Sequence, residues 1–265
     1  MGKFDIDKIK IFFYDIDGTT FDHSIYGVRE STYKALRELK KKGYKLCICT
    51  SRSKAEMVNL DKEFIDLADG VMALAGNYVE IEGKKDIKVF KREEIIDALN
   101  YMDENHITYR YATDDGNGYL NRHEKRVEDI FYRLYHMTPP VKDYDNDNIV
   151  HINFYPYEEK QVEIIEKLTP NAAHVNLSVT TELSPMGIDK GVAVLNIAKY
   201  YGYKKENICC IGDGDNDVSM LKKAAIGIAM GSGTKRCIEA ADIVADKTNE
   251  DGFYKVLLNL GFIEE

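Results

Sequence analysis

The chain reads as an α/β protein: a Rossmann-like, doubly wound parallel sheet into which a smaller α+β block is inserted. Three features of its 265 residues point there. Short, wholly apolar runs alternate with amphipathic helical stretches towards both ends of the chain. Several of those runs stop at clusters of carboxylates, hydroxyls and glycines. The middle of the chain changes character, to amphipathic strands richer in Tyr, Asp, Asn and His. Strand–helix–strand alternation implies right-handed crossovers and a parallel sheet, and open sheets of this kind bind ligands beyond the carboxyl ends of their strands.

The first strand runs from Ile9 to Tyr14, interrupted only by Lys10, and its β-branched and aromatic residues suit burial on both faces. It stops at Asp15-Ile16-Asp17-Gly18-Thr19-Thr20, two carboxylates at i and i+2 followed by a glycine able to turn sharply. Val28 to Lys42 carries apolar residues at helical spacing and ends at Gly43. Tyr44 to Cys49 is a second buried strand, stopping at Thr50-Ser51-Arg52, and Ser53 is placed to cap a helix through Met57, Leu60 and Phe64. Val71 to Leu74 is a third strand.

From Gly83 to Ser184 the strands predicted are Tyr109–Ala112, Tyr119–Leu120, Ile149–Tyr155 and His174–Leu183, antiparallel and separated by helices over 92–100, 124–136 and 158–168. Residues 112–118 are a turn signal consistent with a hairpin. The expected organisation is therefore a discontinuous core, 1–82 and 185–265, around an inserted block at 83–184. Beyond Pro185 the first style returns: a helix from Asp189 to Tyr201 containing Lys190, a strand from Asn207 to Ile211 ending in Gly212-Asp213-Gly214-Asp215-Asn216-Asp217, and a strand from Ile226 to Met230 ending in Gly231-Ser232-Gly233-Thr234.

Composition narrows the function classes. A hydrophobic content of 44% is enough for a substantial core, and a net charge of −9 argues against nucleic acid or an anionic membrane surface as partner. No apolar run approaches a membrane span and the first ten residues lack a signal-peptide block. Of the five cysteines, four lie in strand-like runs with no zinc-type pairing, as expected of reduced core thiols in a cytoplasmic protein.

Asp15/Asp17, Thr50, Lys190 and Asp213/Asp217 should share one sheet edge, and together they suit phosphoryl transfer. Asp15 is a candidate nucleophile and Asp17 a candidate acid/base. A carboxylate approaching a phosphate dianion is repelled by it, so a hard cation is called for. Asp15, Asp17, Asp213 and Asp217 offer the oxygen ligands that magnesium takes. Thr50, Ser51, Lys190 and Asn216 are candidates for the phosphoryl oxygens. The run from Asp213 to Asp217 is not a calcium loop of the EF-hand type, which needs Gly sixth and Glu twelfth where this chain has Val218 and Ala224. In the inserted block Tyr119, Arg122 and His123 are candidates for contacting the leaving group, although His123 and His136 also read as ordinary surface residues.

In motif order the chain resembles the haloacid dehalogenase-like (HAD) hydrolases, specifically the Cof-type branch with a type C2B cap. Asp15-Ile16-Asp17-Gly18-Thr19 matches the first motif, Thr50 the second, Lys190 the third and Gly212 to Asp217 the fourth. Two departures stand out: Ser51 where the family usually has Gly, and Gly76-Asn77 where many members have Asn-Gly. The resemblance implies a magnesium-dependent phosphatase of small phosphorylated metabolites such as sugar phosphates, acting through an aspartyl-phosphate, as a monomer or weak homo-oligomer. The alternatives are a phosphomutase or phosphotransferase of the same superfamily, and a phosphometabolite-binding protein with a vestigial site.

Overall fold

The computed structural model describes residues 4–133, 137–177 and 179–264; His136 lies outside them. In chain order the elements are β1 (Ile11–Tyr14), a small hairpin of β2 (Phe21–Asp22) and β3 (Gly27–Val28), α1 (Glu30–Lys41), β4 (Lys45–Cys49), α2 (Lys62–Leu67), β5 (Gly70–Ala73), β6 (Tyr78–Ile81) and β7 (Lys84–Ile87). There follow α3 (Arg92–Glu104), β8 (Thr108–Thr113), β9 (Gly118–Leu120), α4 (Lys125–Arg133), β10 (Ile149–Tyr155), α5 (Glu159–Leu168), β11 (Ala172–Asn176) and β12 (Thr181–Pro185). The chain closes with α6 (Lys190–Tyr200), β13 (Ile208–Gly212), α7 (Val218–Lys223), β14 (Ile226–Ala229), α8 (Lys235–Ala240), β15 (Ile243–Val244) and α9 (Gly252–Asn259).

An eight-stranded sheet in the order β15-β14-β13-β1-β4-β5-β6-β7 forms the core. It is parallel from β15 to β5, with β1 paired to β13 on one side and β4 on the other. All four residues of β1 are buried because the strand is covered on both faces. Phe12 and Tyr14 join the cluster under α1 and α9, while Ile11 and Phe13 join the cluster under α6 and α7. A five-stranded antiparallel sheet, β11-β12-β10-β8-β9, makes the second layer, with Tyr109, Tyr111, Ile152, Phe154 and Leu183 packed beneath α3 and α5.

Three local expectations are corrected. The stretch after Ser53 is not one helix: reciprocal bonds between Ser53 and Glu56, at 2.7 and 3.3 Å, open only a 3-10 turn at Ala55–Met57, and the short α2 starts afresh after Asp61. The stretch 174–183 is two strands, β11 and β12, closed by a Leu177 N–H bond to the Thr180 carbonyl at 2.9 Å. Strands β6 and β7, absent from the sequence reading, extend the large sheet as an antiparallel hairpin. The passage from one sheet to the other therefore comes after Ile87, later than Gly83.

Candidate active site

The site grows from the carboxyl ends of β1, β4 and β13. Asp15 continues the ladder by donating its N–H to the Ile211 carbonyl at 3.0 Å, which fixes its side chain at the sheet edge with only 6% exposure. Gly18 has φ +76°, and a Cβ there would lie 2.3 Å from Asp213 Oδ2, so glycine is required for the two acidic loops to approach each other. Thr19 and Thr20 are wholly buried. Thr19 Oγ1 donates to Asp213 Oδ1 at 3.1 Å and Thr20 Oγ1 to the Asp15 carbonyl at 2.8 Å, tying the loops together.

Lys190 Nζ donates to Asp15 Oδ1 at 2.7 Å and to Asp217 Oδ1 at 2.6 Å, buried with both partners. It sits at the first position of α6, whose start is capped by Asp189 accepting from the Val192 N–H at 2.7 Å. The Gly76 turn supports that helix end: at φ +106° its missing Cβ would come within 3.0 Å of the Asp189 carbonyl oxygen. The other oxygen of Asp217 accepts the N–H groups of Asp213 and Gly214, each at 3.0 Å. Burial drives the Asp15 carboxyl well above its ordinary value against the opposing pull of the Lys190 ammonium. Burial, with the neighbouring Asp217 charge, pushes Asp213 up to about 7.

Oxygens of Asp15, Asp213 and Asp217 lie within 4.8 Å of one another, which fits a hard cation held by carboxylates. The carboxylate of Asp17 turns away from that cluster: Arg52 donates to it through Nε at 2.8 Å and Nη2 at 2.6 Å, and His23 Nε2 stands 3.2 Å away. Thr50 is buried and accepts the Arg52 N–H on its hydroxyl at 3.0 Å, while Asn216 Nδ2 donates to Ser51 Oγ at 2.9 Å.

Asp15, Asp17, Thr50, Ser51, Asp213 and Asn216 all open into one cavity of about 480 Å³ between the sheets. A larger cavity, about 990 Å³, lies between α4 and α5 and is lined by none of these aspartates.

The leaving-group candidates fare differently. Tyr119 faces Tyr111, with Lys142 over its ring; Arg122 reaches His106; and His123 is exposed beside Glu128. None of the three lines the cavity. For Tyr119 the reason is register: it pairs with Tyr111, while Arg110 pairs with Leu120, and alternate residues of a strand face opposite ways; Arg122 and His123 lie beyond the end of β9. The five-stranded sheet instead offers Arg110, Asn153, Tyr155 and Glu182 to the cavity. The signal for them was present as polar residues at every second position inside buried strands, as in His151-Ile152-Asn153-Phe154-Tyr155. On the core side, Arg52 and His23 were missed as partners of Asp17.

The family profile described as haloacid dehalogenase-like hydrolase matches residues 12–257. The chain belongs to the haloacid dehalogenase-like hydrolases. A Bacillus subtilis 5-amino-6-(5-phospho-D-ribitylamino)uracil phosphatase is 25% identical over 96% of both chains. A Streptococcus pyogenes protein described as a bifunctional phosphatase/peptidyl-prolyl cis-trans isomerase is 28% identical over 99% of this chain, which spans only 56% of that protein's length. Among solved structures, a HAD subclass IIB sugar phosphatase superposes with a TM-score of 0.88 at 27% identity, covering 96% of this chain and 100% of the other. A HAD-superfamily phosphatase from Bacteroides thetaiotaomicron gives 0.84 at 27% identity, covering 96% of each. The superpositions cover both sheets, so the α/β fold as a whole is the one these HAD structures share.

Proposed function

We propose that this HAD hydrolase is a magnesium-dependent phosphatase of small phosphorylated metabolites, sugar phosphates among them, working through an aspartyl-phosphate on Asp15. The observation that carries the reading is the group of Asp15, Asp213 and Asp217 oxygens within 4.8 Å, beside the buried Lys190 ammonium. A magnesium ion held by Asp15 and Asp213, with Asp217 behind them, would supply the positive charge that lets a carboxylate approach a phosphoryl group. The Asp15 carboxylate attacks phosphorus as the bond to the leaving oxygen breaks, and Asp17, entering the step protonated with one oxygen released from the Arg52 fork, passes that proton to the leaving oxygen. In the second half Asp17 removes a proton from water as the water attacks the aspartyl-phosphate, releasing phosphate and restoring Asp15. Thr50, Ser51 and Asn216 line the cavity where phosphoryl oxygens would lie, and Lys190 holds Asp15 in place.

The cap in this reading runs between the two crossings, after Ile87 and after Pro185, and covers the leaving group. The five buried, reduced cysteines fit a cytoplasmic setting, and among the described residues no helix is long and apolar enough to cross a membrane. The test is a panel of phosphorylated metabolites scored by released phosphate, with and without chelator. Turnover of several monoesters that vanishes with chelator and returns with magnesium is the expected result; full activity in chelator would overturn the metal assignment.

A further inference from the structure

Between cap and core lies a buried ion pair that none of the chemistry above employs. The Arg110 guanidinium, on cap strand β8, meets the Glu56 carboxylate, on the core segment that follows Thr50, and the two side chains are only 4% and 6% exposed. Arg110 is aimed by Asn153, whose Oδ1 accepts from Nη1 at 2.7 Å. Glu56 is aimed by the Ser53 N–H at 2.7 Å. A second cap contact falls on the same segment, where the Ala55 N–H donates to the Gly116 carbonyl at 3.2 Å.

This segment also holds Arg52, the residue that grips Asp17. Arg52 Nη1 donates to the Glu56 carbonyl and to Asn59 Oδ1, each at 3.3 Å, while its remaining guanidinium nitrogens fork onto the two Asp17 oxygens. Residues 51–61 contain no regular helix beyond the 3-10 turn at Ala55–Met57, so their shape depends on such tertiary contacts. A continuous series of contacts therefore runs from the cap to the acid/base: Asn153, Arg110, Glu56, Arg52, Asp17.

We propose that Glu56 and Arg110 are positioning residues that couple closure of the cap to the placement of the Asp17 carboxylate, so that leaving-group protonation is available chiefly in the closed form. The pair can form only when the two sheets meet, because its partners belong to different layers. When the cap lifts, both groups are hydrated and the segment that orients Arg52 loses its anchor. The inference rests on the phosphatase reading with Asp17 as acid.

The test uses the different demands of two leaving groups. An alkyl phosphate needs its leaving oxygen protonated, whereas p-nitrophenyl phosphate departs as a stable anion. With Glu56→Gln and Arg110→Met, kcat/KM on the alkyl ester should fall at least ten times further than on p-nitrophenyl phosphate. The double variant should lose no more than the worse single one, since both remove the same coupling. Arg110→Lys, which keeps the charge and loses the fork, should recover part of the alkyl activity, and it serves if Arg110→Met fails to fold. Equal losses on the two esters, or additive losses in the double variant, would overturn the coupling while leaving the phosphatase reading in place. A wild-type protein that hydrolyses neither ester would overturn both.

Discussion

Across the active-site cavity, two polar surfaces of this HAD hydrolase are buried to similar depth and charged to different degrees. At the carboxyl edge of the large sheet three carboxyl groups, Asp15, Asp213 and Asp217, crowd around one ammonium, that of Lys190, and burial raises Asp15 and Asp213 above their ordinary values. On the inner face of the cap sheet Arg110 is matched by Glu56, His151 Nδ1 is bonded to Ser184 Oγ at 3.0 Å, and burial raises the Glu182 carboxyl towards its neutral form. In the proposed function the carboxyl-rich edge is the side that a cation and a phosphoryl group would join. A surface that surrounds a leaving group is better balanced, since an unpaired buried charge there would disfavour closure.

The contrast can be broken most sharply at Asp15. Asp15→Asn is nearly isosteric and cannot attack phosphorus, so turnover should vanish while the circular dichroism spectrum is kept; residual activity above a few per cent would exclude Asp15 as nucleophile. Next comes the carboxyl cluster itself. Asp213→Ala should weaken magnesium binding, measured by calorimetric titration, more than Asp217→Ala, because Asp217 already spends its oxygens on Lys190 and two backbone N–H groups. The reverse ranking would move the cation towards Asp217. Asp17→Asn should slow turnover by about 10²–10⁴, the range for a lost acid/base, and a phosphorylated enzyme should accumulate on rapid quenching.

Effects on the cap side should be smaller. Asn153→Ala removes a hydrogen-bonding group worth ~1 kcal/mol and should change KM several-fold, whereas Tyr119→Ala and His123→Ala, outside the cavity, should leave the substrate ranking alone. Equal KM shifts for Asn153 and Tyr119 variants would blur the distinction between the two strand faces. The last effect is on stability and is nil at neutral pH, appearing only in acid. Burial, reinforced by the Arg110 charge, lowers the His151 pKa to about 3. Between there and the ordinary histidine value near ~6.5 the unfolded chain binds the extra proton, so this group's contribution is complete above that value and is lost as pH falls towards 3. His151→Asn should flatten the acid limb of a stability–pH curve, by at most about 1.4 kcal/mol per pH unit; an unchanged slope would place the imidazole in water.

Much of the core was legible in the residues alone. A buried strand announces itself by a continuous apolar run, and an apolar run that stops at Asp15-Ile16-Asp17 or Asp213-Gly214-Asp215 can leave its carboxylates only at the sheet edge. Parallel connectivity then brings Asp15, Thr50, Lys190 and Asp213 together without any knowledge of side-chain contacts. The β6–β7 hairpin was less legible because Lys84, Lys85 and Asp86 are exposed and supply no apolar pattern.

What the tertiary structure alone decided is how these groups are paired and which face of the cap meets them. Asp15 and Asp17 are two residues apart and look equivalent in sequence, yet one is bound by Lys190 and the other by Arg52 and His23. Tyr119 and Arg110 lie in adjoining strands, and only Arg110 reaches the cavity. Strand alternation tells that neighbouring residues face opposite ways, but not which way is inward when both faces of a strand are buried, as along all of β8 and β10. That choice is made by the docking of one sheet on another, through contacts such as Arg110 with Glu56 that join residues far apart in the chain.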